Sequence, residues 1–277
     1  MQTLKLISGQ DIPILGMGTW QMGEDMGDRQ SEIKALRHGL ELGLSLIDTA
    51  EMYGEGGAEE VIAEAIANRR AEVFLVSKVY PYNASKRGVI AACERSLKRL
   101  KTDYLDLYLL HWRGSVPLTE TLEAFQTLQQ SGKIRSYGVS NFDVAEMQGA
   151  VSLKGGNGIV TNQVLYNLTR RGIEQNLLPW CRQQNIPIMA YSPIEQGRLL
   201  NSRTLKAIAQ ERGVSTAQIA IAWLLHQDNV IVIPKSSHVD HVGQNRAALD
   251  LKLSAEELNI LETAFPVPTH SVPLEML

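Results

Sequence analysis

The feature that most restricts what this chain can fold into is an eightfold alternation of short, β-rich apolar runs with longer stretches of helical periodicity. The runs fall at 14–20, 45–49, 73–79, 105–111, 136–141, 160–164, 187–192 and 230–235. Most are continuously apolar, as in VFLVSKV, LDLYLLH and VIVIPK, which is the pattern of parallel strands covered on both faces. Helical periodicity occupies 29–43, 57–69, 85–101, 118–132, 143–150, 171–185, a pair within 202–227, 238–248 and a final stretch at 255–264. The punctuation agrees with this division. Gly43 and Gly132 stand where helices should stop, and Ser254 with Glu257 makes a capping-box signature before the last helix. Ahead of the first run, LKLISGQDIPI predicts a small hairpin turning at a glycine, suited to plug the bottom of a barrel.

Alternation of this kind fits a closed barrel or an open doubly wound sheet. The open sheet of dinucleotide-binding proteins needs G-x-G-x-x-G after its first strand, and Gly16-Met17-Gly18-Thr19-Trp20-Gln21 lacks the third glycine. The expected fold is therefore an α/β (β/α)8 TIM barrel, one domain over 1–277, and 44% hydrophobic content can fill its core. The 27 basic and 30 acidic residues leave a net charge of −3, which argues against a surface for nucleic acid. Cys93 and Cys181 lie far apart in helical stretches without C-x-x-C spacing, as expected of reduced thiols. The first residues hold no apolar stretch of signal-peptide length, and no run of about 18 apolar residues occurs, so a soluble cytoplasmic protein is expected. Without heptads or an apolar stripe, a monomer is the expectation.

Polar and ionisable residues gather at the carboxyl ends of the runs, where barrel enzymes build their sites: Asp48, Lys78, His111, Asn141, Gln163, Tyr191 and Lys235. Each alone has a plain structural explanation, as a turn-forming Asp, a strand-end Lys that reaches solvent or a core His bonded to a carbonyl. Their joint placement at matching ends sets them apart. Metal chemistry is disfavoured, since there is no H-E-x-x-H and the His238 and His241 pair lacks a clear third ligand. A serine hydrolase is disfavoured too, because no G-x-S-x-G elbow occurs and Ser192 is followed by Pro193. Acid–base work remains.

Eight segments taken in order resemble the aldo-keto reductase family. They are Gly16-Met17-Gly18-Thr19-Trp20, Asp48-Thr49-Ala50-Glu51-Met52-Tyr53-Gly54, Ser77-Lys78, Leu110-His111-Trp112, Gly138-Val139-Ser140-Asn141-Phe142, Asn162-Gln163, Ala190-Tyr191-Ser192-Pro193 and Ile233-Pro234-Lys235-Ser236. The resemblance runs essentially end to end and is greatest to bacterial members that reduce methylglyoxal and other small or aromatic aldehydes. It implies a catalytic tetrad of Asp48, Tyr53, Lys78 and His111. A free tyrosine has a pKa of about 10, so Lys78 is expected to stabilise its phenolate, with Asp48 holding the ammonium. Tyr53 then protonates the carbonyl oxygen and His111 orients it.

The resemblance also implies an NADPH site, with NADH less favoured. Ser140, Asn141 and Gln163 would meet a carboxamide, and Tyr191 would stack on the nicotinamide ring. Gly18, Thr19 and Asp48 would border the same site. Ser192 would also touch the cofactor, the segment from Pro193 through Ile194, Glu195 and Gln196 to Arg198 would cover the pyrophosphate, and Lys235 with Ser236 would take a ribose 2′-phosphate. The family's usual arginine six residues after that lysine is replaced by His241, while Asn245 is retained. Histidine cannot supply a permanent bidentate cation, so a weaker NADPH preference is expected. Trp20, Tyr53, Tyr80, His111 and Trp112 are the expected substrate wall, with the tail after Pro266 as a further candidate. Two other readings remain open, a nicotinamide-binding regulatory subunit that shares the fold and the tetrad, and an unrelated barrel isomerase with Lys78 or His111 as base.

Overall fold

A computed structural model describes residues 2–277, and in it each of the eight apolar runs contributes a strand. The chain opens with the hairpin β1 (Thr3–Lys5) and β2 (Asp11–Pro13), whose register pairs Leu4 with Ile12. The larger sheet then follows as β3 (Gly16–Gly18), β4 (Leu46–Asp48), β5 (Phe74–Val79), β6 (Leu105–Leu110), β7 (Ile134–Ser140), β8 (Ile159–Leu165), β9 (Ile188–Tyr191) and β10 (Val230–Val232). Every strand from β3 to β10 pairs in parallel with its neighbour in sequence. The ends meet as well, through parallel bridges Leu15–Val232 and Gly18–Lys235 and a Gly18 N–H that donates to Pro234 O at 3.0 Å. The sheet is thus a closed barrel, and closure leaves no exposed edge.

The intervening stretches form α1 (Arg29–Glu41), α2 (Gly57–Ala65), α3 (Lys86–Leu100), α4 (Leu118–Gln130), α5 (Val144–Ser152), α6 (Leu177–Gln183), α7 (Arg203–Arg212), α8 (Thr216–Leu225), α9 (Val239–Ala247) and α10 (Ala255–Ala264). The Ser254–Glu257 capping box forms as expected, and Ser215 with Gln218 makes another that separates α7 from α8. The stretch 171–185 does not form one helix. Asn176 leaves helical geometry and caps Leu177 N–H with its own side chain, because a short amide competes for backbone partners. No helix among the described residues is long and apolar enough to cross a membrane.

Two apolar cores result. One lies between the barrel and its helices and includes Leu36, Val61, Leu122 and Phe125. The other fills the barrel interior with Leu46, Val76, Leu107, Val160, Met189 and Ile231, and it also takes Leu6 and Ile12 from the hairpin. The hairpin therefore closes the barrel's amino-terminal end, helped by Ser136 Oγ, which donates to Gln10 Oε1 at 2.5 Å. With the amino-terminal end plugged and all barrel strands parallel, the side chains at the strands' carboxyl ends share the open mouth of the barrel.

Candidate active site

Asp48 ends β4 and Lys78 lies one residue before the end of β5, so adjacent parallel strands deliver an acid and a base to the same end of the barrel. Both side chains are buried, Lys78 completely. An ammonium out of water needs its charge balanced and its three protons bonded. Lys78 Nζ meets both needs: it donates to Asp48 Oδ2 at 2.8 Å, to Thr49 O at 2.8 Å and to the Tyr53 hydroxyl oxygen at 3.2 Å. Tyr53 reaches that position from the turn after β4, where Gly54 turns the chain at φ 56°. His111 follows β6, with its ring edge-on to Tyr53 at a centroid distance of 5.8 Å. Asp48 uses its other oxygen, Oδ1, to accept from Gln163 Nε2 at 2.8 Å. Four strands thus hold one polar group of five side chains, Asp48, Lys78, Tyr53, His111 and Gln163.

Burial works to lower the Lys78 pKa, but the adjacent Asp48 carboxylate and Tyr53 outweigh it and the net movement is upward, so the ammonium is retained. For Tyr53 the balance goes the other way. Burial pushes the phenol up, the Lys78 charge pulls it down and Asp48 pushes it up again, with a net rise. The sequence-based expectation of a lowered tyrosine is met only in the Lys78 contribution. Desolvation exceeds it, and the phenol holds its proton. Because Lys78 donates to the phenol oxygen, the phenolic hydrogen is free to be given to a further acceptor. His111 is driven well below the ordinary imidazole value by burial and then by the Lys78 charge, so the ring is neutral. Its Nδ1 is buried with no partner among the described residues. A bare lone pair costs less there than a bare N–H, which favours the tautomer with the proton on Nε2.

Above this group opens a cavity of about 580 Å³, within the ~300–1,000 Å³ usual for small-molecule sites. Asp48, Tyr53 and His111 lie in its wall, and so do Gly18, Thr19 and Lys235 from the seam where the barrel closes. Ser140, Asn141 and Gln163 line a further side. The segment after β9 adds Tyr191, Ser192, Pro193, Ile194 and Gln196, and Trp20 and Trp112 complete the apolar part. Four non-glycine residues of the lining, Gln21, Asn141, Ser192 and Gln196, hold left-handed backbone at φ 53–62°. Such conformations cost about 1–3 kcal/mol each and gather at functional sites.

Some expected site residues lie elsewhere. Tyr80 is not in the cavity wall; it backs Trp112 edge-on at 5.0 Å, and its N–H is held by Glu51 Oε1 at 2.9 Å. Ser236, His241 and Asn245 lie beyond Lys235, outside the cavity. Ser236 Oγ accepts from the N–H of His238, the residue before α9. Asn245 is buried on that helix and His241 is exposed. Sequence reasoning missed the bond from Gln163 to Asp48; it set the tail after Pro266 at the pocket without singling out Met276 and Leu277, the two residues that reach the cavity from the chain's end. No local pattern flags either, since the bond spans 115 residues and the end segment lacks periodicity.

The sequence matches the model of the Aldo/keto reductase family over residues 14–265. It is 53% identical over 271 residues to methylglyoxal reductase YeaE of Escherichia coli, covering 96% of this chain and 95% of that protein. It is 35% identical to glyoxal reductase of Bacillus subtilis, over 94% of this chain and 91% of that one. Among solved structures, an aldo/keto reductase from Klebsiella pneumoniae in complex with NADP and acetate superposes with a TM-score of 0.97 at 49% identity, covering 99% of both chains. A barrel whose open mouth presents a buried lysine to a tyrosine, together with relatedness over nearly its whole length, places this chain in the aldo/keto reductase family.

Proposed function

We propose that the chain reduces small and aromatic aldehydes, methylglyoxal among them, with NADPH as hydride donor and Tyr53 as proton donor. One observation carries the reading: the Tyr53 hydroxyl lies 3.2 Å from a fully buried Lys78 ammonium, at the floor of a cavity that opens to solvent. A protonated phenol beside a fixed cation is a poor acid at rest. It becomes a better one as its proton leaves, because Lys78 stabilises the phenolate that forms. Asp48 keeps the lysine charged and Gln163 keeps Asp48 turned toward it. The neutral His111, protonated on Nε2, is suited to donate to the same carbonyl oxygen and to polarise it without adding a charge.

The cavity fits a nicotinamide cofactor. Asn141 and Gln163 offer amide donors and acceptors, Tyr191 offers an aromatic face, and Lys235 lies in the wall as a cation for phosphate. Bound NADPH would supply hydride to the carbonyl carbon. Beyond Lys235, Ser236 and His241 would meet the 2′-phosphate, with Asn245 toward the adenine. YeaE and the Klebsiella complex support methylglyoxal as a substrate and NADP as the cofactor. Trp20, 40% exposed at the mouth, and Trp112 would form the apolar wall for the aldehyde.

The test is NADPH oxidation followed by absorbance with methylglyoxal, 4-nitrobenzaldehyde, glyceraldehyde and simple ketones, in wild type and Tyr53→Phe. Turnover is expected to fall in Tyr53→Phe by about 10² to 10⁴-fold while NADPH binding persists. Tight cofactor binding without turnover in wild type would overturn the reductase reading in favour of a regulatory subunit. Undiminished turnover in Tyr53→Phe would remove Tyr53 from the chemistry.

A further inference from the structure

Beyond α10 the chain returns across the barrel mouth. Asn176 Nδ2 donates to Ser271 Oγ at 3.1 Å, and the Gln175 amide donates to Pro268 O. A cavity of about 330 Å³ runs along residues 271–275, lined by Asp143, Leu177 and Val272 among others, and Leu274 packs on the main core. Toward its end the stretch is tied to the barrel by an ion pair between Arg170 Nη1 and Glu275 Oε1 at 2.5 Å. Met276 and Leu277 then reach the active-site cavity.

The opposite edge of the same guanidinium holds a different segment. Arg170 Nε and Nη2 donate side-on to Glu195 Oε1 at 3.0 and 2.7 Å. Glu195 also accepts from Asn167 Nδ2 at 2.8 Å and from Arg198 Nη2 at 3.1 Å, and its side chain is only 6% exposed. Ser192, Glu195 and Gln196 all hold left-handed backbone, at φ 50–53°, so the segment needs outside bonds to keep its shape. A planar guanidinium held at one edge presents its other edge in a fixed direction, which a flexible ammonium cannot do.

We propose that Arg170 is a positioning residue that ties the C-terminal residues at the substrate mouth to the 192–198 segment over the cofactor, so that both take up their places together. The inference rests on the cofactor placement proposed above. Its consequence is that a change at Glu275, which does not line the active-site cavity, alters cofactor release. Coupling between two sites is reciprocal, and it shows as non-additivity between groups that do not touch. Glu195 and Glu275 share Arg170 and have no hydrogen bond to each other.

The experiment is a double-mutant cycle of Glu195→Gln and Glu275→Gln in the full chain, repeated in an Arg170→Met background. It reads NADPH release by stopped-flow nicotinamide fluorescence and KM for 4-nitrobenzaldehyde. Glu275→Gln is expected to speed NADPH release about two- to fivefold, the range for a partly exposed ion pair, and to raise the KM. The two substitutions together should change release by clearly less than the product of their separate effects, and Glu275→Gln should add nothing once Arg170 is Met. Unchanged or slower release in Glu275→Gln, or effects that multiply independently, would overturn the proposal. NADPH release is read without turnover, so a wild type that binds NADPH but reduces no aldehyde sinks the reductase reading alone. A wild type that does not bind NADPH sinks both.

Discussion

Asp48→Asn is the most informative single change, because Asp48 holds the charge balance of the buried group. Its carboxylate accepts from Lys78 at one oxygen and from Gln163 at the other, both at 2.8 Å. An amide can satisfy one of these donors, but its NH2 must then face the other, donor against donor. The ammonium also loses the charge that offset its desolvation. Breaking a buried pair in this way costs about 3–5 kcal/mol. At about 2–3 °C per kcal/mol for a chain of this length, the melting temperature at pH 7 should fall by about 6–15 °C. The pH dependence separates this cause from a packing defect. In wild type the Lys78 pKa is raised, so its stabilising contribution is complete below the unfolded value of about 10.4 and is lost as pH rises through the folded value. In Asp48→Asn burial wins and the Lys78 pKa falls below its unfolded value, so stability rises with pH until about 10.4. The deficit of the variant should therefore shrink between pH 7 and 10. Urea unfolding at several pH values, with Lys78→Met and the double variant, measures this, and the double variant should recover at least ~2 kcal/mol relative to the sum of the singles. A cost under about 1 kcal/mol at pH 7, or strict additivity, would refute the reasoning.

Three further outcomes are expected. His111 has a folded pKa far below its unfolded value of about 6.5, so its contribution is complete above that pH and is lost as pH falls, by up to ~1.4 kcal/mol per unit. Urea unfolding between pH 5 and 7 should show this slope in wild type and a shallower one in His111→Gln; equal slopes would contradict a neutral buried ring. Gly23 holds φ 73°, and a Cβ there would meet the Gly57 carbonyl carbon at 2.3 Å, so Gly23→Ala should destabilise by about 1–3 kcal/mol in thermal unfolding. His241→Arg should raise the ratio of NADPH to NADH affinity several-fold by adding a permanent bidentate cation six residues after Lys235, and an unchanged ratio in fluorescence titrations would show that His241 is no determinant.

Much of the fold was legible because it depends on patterns local to each segment. Continuous apolar runs such as 73–79 and 105–111 announce parallel buried strands, and both formed as β5 and β6. Ser254 with Glu257 announced a helix start, which depends on only four consecutive residues. The stretch 171–185 misled because its apolar spacing runs through Asn176, whose side-chain capping of Leu177 breaks the helix without disturbing the pattern. Asp48, Lys78 and His111 could be nominated because strand polarity alone sends them to one rim. Tyr80 could be nominated on the same ground, yet whether it faces the cavity or backs Trp112 depends on the turn that follows β5.

By itself, the sequence determined the alternation of elements, their parallel sense and the end of the barrel at which chemistry can occur, since strand burial and helix capping are decided over a few neighbouring residues. Only the tertiary structure decided which groups meet at that end. Gln163 bonds Asp48 across 115 residues, and Arg170 reaches Glu275 across 105. The balance that leaves Tyr53 protonated was also decided there, because it sets burial against one charge 3.2 Å away. Desolvation and Coulomb energies depend on distance in space and on exclusion of water, and neither exists until the barrel has closed.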